Sequence, residues 1–211
     1  MVDFEILSQS VISGKQEQVK EQVKAMLDVG VPPLDIINQG LIAGMNIVGP
    51  RFKKGDMYVP EVLMSAKAMA AGMELVKPLI SGNDLKPLGV ILLGTVKGDL
   101  HDIGKNLVGM LLGSGGFTVI NLGVDIDPDK FVEAVKTHNV DILAMSALLT
   151  TTMFKMKDTI ELLQEEGLRD KVKVIIGGAP ISQDFADQIG ADGFASDAAS
   201  AVDLCKKVMK I

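Results

Sequence analysis

The feature that most constrains this chain is a change of hydrophobic period near residue 82. Before it, apolar residues recur every three or four positions; after it, continuous apolar runs alternate with amphipathic stretches. Phe4, Leu7 and Val11, then Val19, Val23, Met26 and Leu27, have helical spacing, and Ser13-Gly14-Lys15 divides them into two short helices. Pro32-Pro33 opens a third, with Ile36, Ile37, Leu41, Met45 and Val48 as its apolar stripe and Gly49-Pro50 as its predicted end. After a predicted loop from Phe52 to Met57, Pro60 starts a fourth helix carrying Val62, Leu63, Ala66, Met69, Met73 and Val76. Four helices with short connections make a bundle.

The second half reads differently. Apolar runs at Gly89 to Val96, Phe117 to Leu122, Val140 to Ser146, Val172 to Ile176 and Gly193 to Ala195 predict five strands. Amphipathic stretches at Ile103 to Leu112, Asp129 to Thr137, Thr152 to Glu165, Ser182 to Ile189 and Ala198 to Met209 predict five helices between and after them. Strands buried on both faces and alternating with helices argue for a doubly wound parallel sheet of the flavodoxin-like Rossmann kind. The expected organisation is a helical bundle over 1–82, a linker over 83–87 and an α/β domain over 88–211.

Such a sheet binds ligands outside the carboxyl ends of its strands. The loops to inspect are therefore Lys97 to Asp102, Gly123 to Asp129, Ala147 to Thr151, Gly177 to Pro180 and Ser196-Asp197. Composition narrows the chemistry further. With 27 acidic against 21 basic residues and no basic block, nucleic acid is excluded as the expected partner. No apolar run is as long as a membrane span, and the acidic start Asp3-Phe4-Glu5 is unlike a signal peptide, so the expectation is a cytoplasmic protein. The single cysteine, Cys205, builds no disulfide or metal motif and reads as a small helix residue.

One of only two histidines, His101, lies in the first strand-to-helix loop. Asp99 stands two residues before it and Gly104 three after, in the segment Gly98-Asp99-Leu100-His101-Asp102-Ile103-Gly104. Neutral imidazole is a common metal ligand, and a carboxylate on its other nitrogen fixes the tautomer and raises basicity. One histidine with one carboxylate cannot hold a bare ion, for which three or four ligands are usual. A metal at His101 must therefore bring its other ligands with it. A phosphate-loop reading fails, because five residues separate Gly98 from Gly104 instead of four and Asn106 stands where magnesium binding needs Ser or Thr. Gly113-Ser114-Gly115-Gly116 follows a helix and reads as its stop. His138 ends a predicted helix and is assigned no chemistry.

Asp99-x-His101-x-x-Gly104, then Ser146-x-Leu148, then Gly177-Gly178, each after a successive predicted strand, resemble the cobalamin-binding domain family from Leu88 to the C-terminus. The stretch from Val48 to Glu61 resembles the helical cap of methionine synthase and of the corrinoid proteins in three-component methyltransferase systems. The resemblance implies a corrinoid cofactor, as methylcobalamin, cob(I)alamin or a related cobamide, with His101 as lower axial ligand to cobalt. It implies that Asp99 hydrogen-bonds the other ring nitrogen and that Ser146 extends that relay toward solvent. Gly104, Leu148, Thr150, Gly177 and Gly178 would accommodate the nucleotide tail, and Gly98, Asp102 and Ile103 complete the ligand loop. Phe52 and Val59, the latter where methionine synthase has leucine, would cover the upper corrin face, and Ser81 to Lys86 would act as the hinge of the cap.

A cap with a corrinoid domain implies a carrier that shuttles a methyl group from a donor-specific methyltransferase to an acceptor methyltransferase, served by a reductive activase. It would have no catalytic activity alone. The rival expectations are the corrinoid subunit of a radical mutase, which generally lacks the cap, and a cobalamin-dependent sensor or regulator, which normally carries a DNA-binding domain.

Overall fold

The computed structural model describes residues 3–80 and 87–211. They separate into two compact units, one within Met1–Pro87 together with Ser114–Gly116 and one formed by Leu88–Gly113 with Phe117–Ile211. The expected hinge, Ser81 to Lys86, and all of the expected linker except Pro87 lie outside the described residues.

The first unit is helical: α1 (Phe4–Ile12), α2 (Gln16–Asp28), α3 (Pro33–Asp35), α4 (Ala43–Lys54) and α5 (Val59–Val76). A π-helical turn, Ile36–Ile42, joins α3 to α4 without a break, so four helical segments result. The third corrects the expected boundary, because it runs through Gly49-Pro50 to Lys54. Proline removes only its own N–H, and helical bonding resumes beyond it; the actual stop is Gly55, at a left-handed φ of 79°. The expected loop from Phe52 to Met57 shrinks accordingly to Gly55–Tyr58. Pro60 does lie in the first turn of α5, where Glu61 Oε2 accepts the Tyr58 N–H at 2.8 Å. Leu7, Val11, Val19, Val23, Ile36, Leu41, Val62 and Val76 are fully buried between these helices. The buried Ser65 hydroxyl donates to the Ile12 carbonyl at 2.9 Å, satisfying an acceptor at the end of α1.

The second unit contains β1 (Val90–Val96), α6 (Ile103–Ser114), β2 (Thr118–Ile126), α7 (Pro128–Thr137), β3 (Ile142–Ser146), α8 (Lys155–Glu165), β4 (Lys173–Gly177), α9 (Gln183–Ile189), β5 (Gly193–Ala195) and α10 (Ala198–Met209). All pairings are parallel, in the order β2-β1-β3-β4-β5. Alternate residues of each strand serve different cores. Leu92, Leu143, Val174 and Ile176 pack with Phe131, Met156, Ile160 and Phe185 of α7, α8 and α9. Ile91, Leu93, Ile142, Ala144 and Ile175 pack with Leu112 of α6 and Cys205 of α10. This two-sided burial is why the strands are continuous apolar runs. It also makes Cys205 an inert core group, since burial pushes its thiol pKa up to about 12.

The sheet reverses direction of winding between β1 and β3, which places the ligand edge at the loops that follow those two strands. No helix among the described residues is long and apolar enough to cross a membrane.

Candidate functional site

The loop after β1 and the loop after β3 meet on one side chain. Asp99 is fully buried, and both of its oxygens are engaged. Oδ1 lies 2.7 Å from His101 Nδ1 and accepts the His101 backbone N–H at 3.1 Å. Oδ2 accepts the backbone N–H of Leu148 at 2.7 Å and of Leu149 at 3.2 Å, with the Thr152 hydroxyl at 3.0 Å. Burial alone would raise the Asp99 pKa. The N–H groups of Leu148 and His101, with the His101 ring and Thr152 hydroxyl, outweigh it and hold the carboxyl well below the usual carboxylate range.

Asp99 is thus held as the carboxylate, and it defines how His101 stands. With Asp99 accepting at Nδ1, the Nδ1–H tautomer is favoured and Nε2 is the nitrogen left with a lone pair. The His101 side chain is 52% exposed, so that nitrogen is accessible to a ligand. The Thr95 hydroxyl, buried in β1, donates to the His101 carbonyl at 2.9 Å and fixes the backbone beneath the ring.

The neighbouring groups give the site its character. Leu100 and Ile103 are 71% and 80% exposed, and Leu148 and Leu149, around 40%, flank the anchoring amides. Large aliphatic side chains exposed around one polar centre suit a broad, partly apolar ligand. At Gly104, in the first turn of α6, an added Cβ would meet nothing within 4 Å, which leaves open space beside the histidine loop. Asp102 accepts at the start of the same helix, from Asn106 N at 2.7 Å through its carbonyl and from Asn106 Nδ2 at 3.0 Å through its carboxylate.

Other expected positions fall as follows. Ser146 ends β3, in register with Thr95 and Gly177; the hydroxyl that reaches Asp99 belongs instead to Thr152. Thr150 is exposed in the same turn. Gly177 ends β4, and Gly178, at φ 128°, has no room for a side chain because a Cβ there would overlap the Ala147 carbonyl. In the helical unit, Phe52 is half-buried near the end of α4, Val59 is 36% exposed at the start of α5, and Tyr58 beside it is exposed.

Sequence reasoning missed Thr152, Thr95 and Asp125. Thr152 carries no motif spacing to Asp99; only the prediction that the β1 and β3 loops share an edge could have found it. Asp125, whose N–H donates to the Asp99 carbonyl at 3.1 Å, lay in an inspected loop without being singled out.

The donor set answers the question of what metal species fits. No group of three or more His, Cys, Asp or Glu side chains able to hold an ion occurs among the described residues. His101 offers one accessible nitrogen backed by a buried carboxylate, so it fits a metal whose remaining ligands form a macrocycle. The exposed aliphatic rim and the space at Gly104 fit such a group as well.

Comparison with known proteins agrees. Residues 89–203 match the family described as the B12 binding domain, and residues 4–77 match a second family of the same description. A corrinoid protein of Desulfitobacterium hafniense is 43% identical over 206 residues, covering 96% of this chain and 95% of its own. Dimethylamine corrinoid protein 3 of Methanosarcina acetivorans is 46% identical over 214 residues, covering 99% and 100%. In the crystal structure of the methanol:cobalamin methyltransferase complex of Methanosarcina barkeri, one chain superposes with a TM-score of 0.87 at 33% identity, covering 97% of this chain and 78% of that one. Residues 89–203, which include the buried Asp99, its histidine and the β1/β3 edge, thus match a B12 binding domain, and the chain belongs to the family of corrinoid proteins.

Proposed function

We propose that this chain is a methyl carrier that works between two methyltransferases. The observation that carries the reading is the Asp99–His101 pair, 2.7 Å apart, with the carboxylate anchored on the β3 loop and the histidine exposed. When bound, the corrinoid supplies a cobalt centre that accepts and gives up a methyl group. The protein's contribution is to bind, orient and adjust. His101 Nε2 would ligate the metal, Asp99 would hold the proton on His101 Nδ1, and the anchoring amides would keep that carboxylate ionised as the ring moves on and off.

The corrinoid is proposed to be held by the ligand loop, with Gly98, Asp102 and Ile103, and by Ser146, while its nucleotide tail lies along Gly104, Leu148, Thr150, Gly177 and Gly178. Phe52 and Val59 are proposed to cover the upper face of the corrin. Relatives named as dimethylamine corrinoid proteins support a methylamine as the donor's chemical class. Tetrahydrofolate or a thiol as acceptor, a reductive activase as third partner and a cytoplasmic location complete the proposal. These relatives favour methyl carriage over the mutase-subunit and sensor readings.

The test is spectroscopic. The chain reconstituted with cobalamin should be base-off with histidine bound, and His101→Ala should retain cobalamin while losing the histidine-bound visible and EPR signature. Unchanged spectra in His101→Ala defeat the assignment.

A further inference from the structure

The last turn of β2 is irregular in a way that bears directly on the histidine loop. From Leu93 to Val96, β1 advances three residues, while its partner residues on β2 advance five, from Asn121 to Ile126. The surplus is taken up by breaks in register, and within it Asp125 adopts φ 57°, one of two non-glycine residues in the left-handed region among those described. In that conformation Asp125 makes two hydrogen bonds to consecutive residues of the other loop. Its carboxylate Oδ1 accepts the Gly98 N–H at 2.8 Å, and its own N–H donates to the Asp99 carbonyl at 3.1 Å. Gly98 and Asp99 are thereby bracketed by one residue that both donates and accepts.

Asp99 is thus gripped from opposite sides of β1. Its carboxylate is held by the loop after β3, and its backbone is held by the end of β2. The carboxylate bonds fix where the anion is; the backbone bonds fix the chain that delivers it. Releasing Gly98, which is itself at φ 81°, would let the Gly98–Asp99 peptide rotate and carry the carboxylate away from His101 Nδ1.

We infer that Asp125 is a positioning residue for the axial ligand: it immobilises the Gly98–Asp99 backbone so that movement of the ligand is confined to the residues after Asp99. The inference rests on His101 being that ligand. The negative charge of Asp125 is secondary. Its ion pair with Lys97, at 3.5 Å, is substantially exposed on both sides, and Lys97 lies closer to Asp127, at 3.2 Å. What Asp125 needs is tolerance of a positive φ together with a carbonyl-type oxygen one carbon from the backbone, and asparagine supplies both.

Asp125→Gly keeps the backbone conformation and deletes the acceptor; Asp125→Asn keeps both. Two measurements on the full chain separate them. In the apoprotein, amide hydrogen exchange across residues 97–104 should accelerate roughly fivefold or more in Asp125→Gly, as expected for loss of one hydrogen bond, and stay within about twofold of the parent in Asp125→Asn. In protein reconstituted with cobalamin and reduced to the cob(II)alamin state, the fraction showing histidine nitrogen coupling by EPR should fall in Asp125→Gly and be restored in Asp125→Asn. Parental exchange in Asp125→Gly overturns the inference, and so does an Asp125→Asn variant as impaired as Asp125→Gly. The exchange measurement uses no corrinoid, so it decides the clamp separately from the His101→Ala spectra that decide the ligand.

Discussion

The helical unit and the sheet edge of the α/β unit both depend on glycine, for different reasons. Gly44, in the first turn of α4, packs against α1: an added Cβ would lie 2.8 Å from Val11 Cβ and 3.0 Å from the Ser8 carbonyl. Gly72, inside α5, meets Leu41 and Val19 side chains in the same way. These glycines make room mainly for side chains between helices that approach closely, the Ser8 carbonyl being the backbone atom among their nearest contacts. At the sheet edge, Gly178 combines φ 128° with a Cβ position already taken by the Ala147 carbonyl. Side chains can repack around an intrusion; backbone held in a parallel ladder has nowhere to go. The helical unit should therefore tolerate insults that the ligand edge does not.

That contrast can be broken at three points. Gly178→Ala should be the most damaging, destabilising the α/β unit by about 4 kcal/mol or preventing its folding, because it adds left-handed strain to a backbone clash. Urea unfolding followed by circular dichroism reads it, and a loss under about 1 kcal/mol would show that the edge yields after all.

Asp99→Asn comes next, at about 3 kcal/mol near neutral pH, since an amide cannot accept from all the donors that converge there. The pH dependence follows from the lowered carboxyl pKa. Folded Asp99 titrates below its unfolded value of about 3.9, so its contribution is fully present above that pH and disappears as pH falls through the folded value. The parent should lose stability between pH 5 and pH 2, by order of magnitude of these pKa limits, on a steeper slope than Asp99→Asn. Identical acid limbs would contradict the assignment of Asp99 as a buried anion.

Gly44→Ala should cost least, about 1–2 kcal/mol, because overpacking against Val11 and Ser8 exceeds the helix propensity that alanine adds. A stabilised variant would show that α1 shifts freely and that packing in this unit is looser than the distances indicate.

Much of this architecture was legible in the sequence because it follows from period. Strand β5 and helix α10 fall on their expected residues, and β1, β3, β4 and α7 fall within two residues of theirs. Period fails where a residue acts through something it does not itself show. Pro50 reads as a stop, but it lies where the helix has residues enough beyond it to continue, and Gly55 ends it. Strand β2 runs four residues past Leu122 because its bulged end still pairs with β1, and Gly123 and Asp125 in that stretch interrupt the continuous apolar run by which a strand is recognised. At the site, Asp99 and His101 are two residues apart and announce themselves. Thr152 lies 53 residues from Asp99 and is joined to it only by the sheet order.

The bulged end of β2 has one more consequence. Strand β2 is an outer strand of the sheet, nine residues long, and a regular ribbon of that length would offer its unpaired peptide groups to another chain. Register breaks between Asn121 and Gly123 and between Gly123 and Ile126 interrupt that ribbon. Asn121 adds a side-chain plug: its Oδ1 accepts from Gly123 N at 3.0 Å and from the buried Lys105 ammonium at 2.7 Å. The same distortion that brings Asp125 to Gly98 thus leaves the outer edge of the sheet without an unbroken row of regularly spaced peptide groups for another strand to pair with.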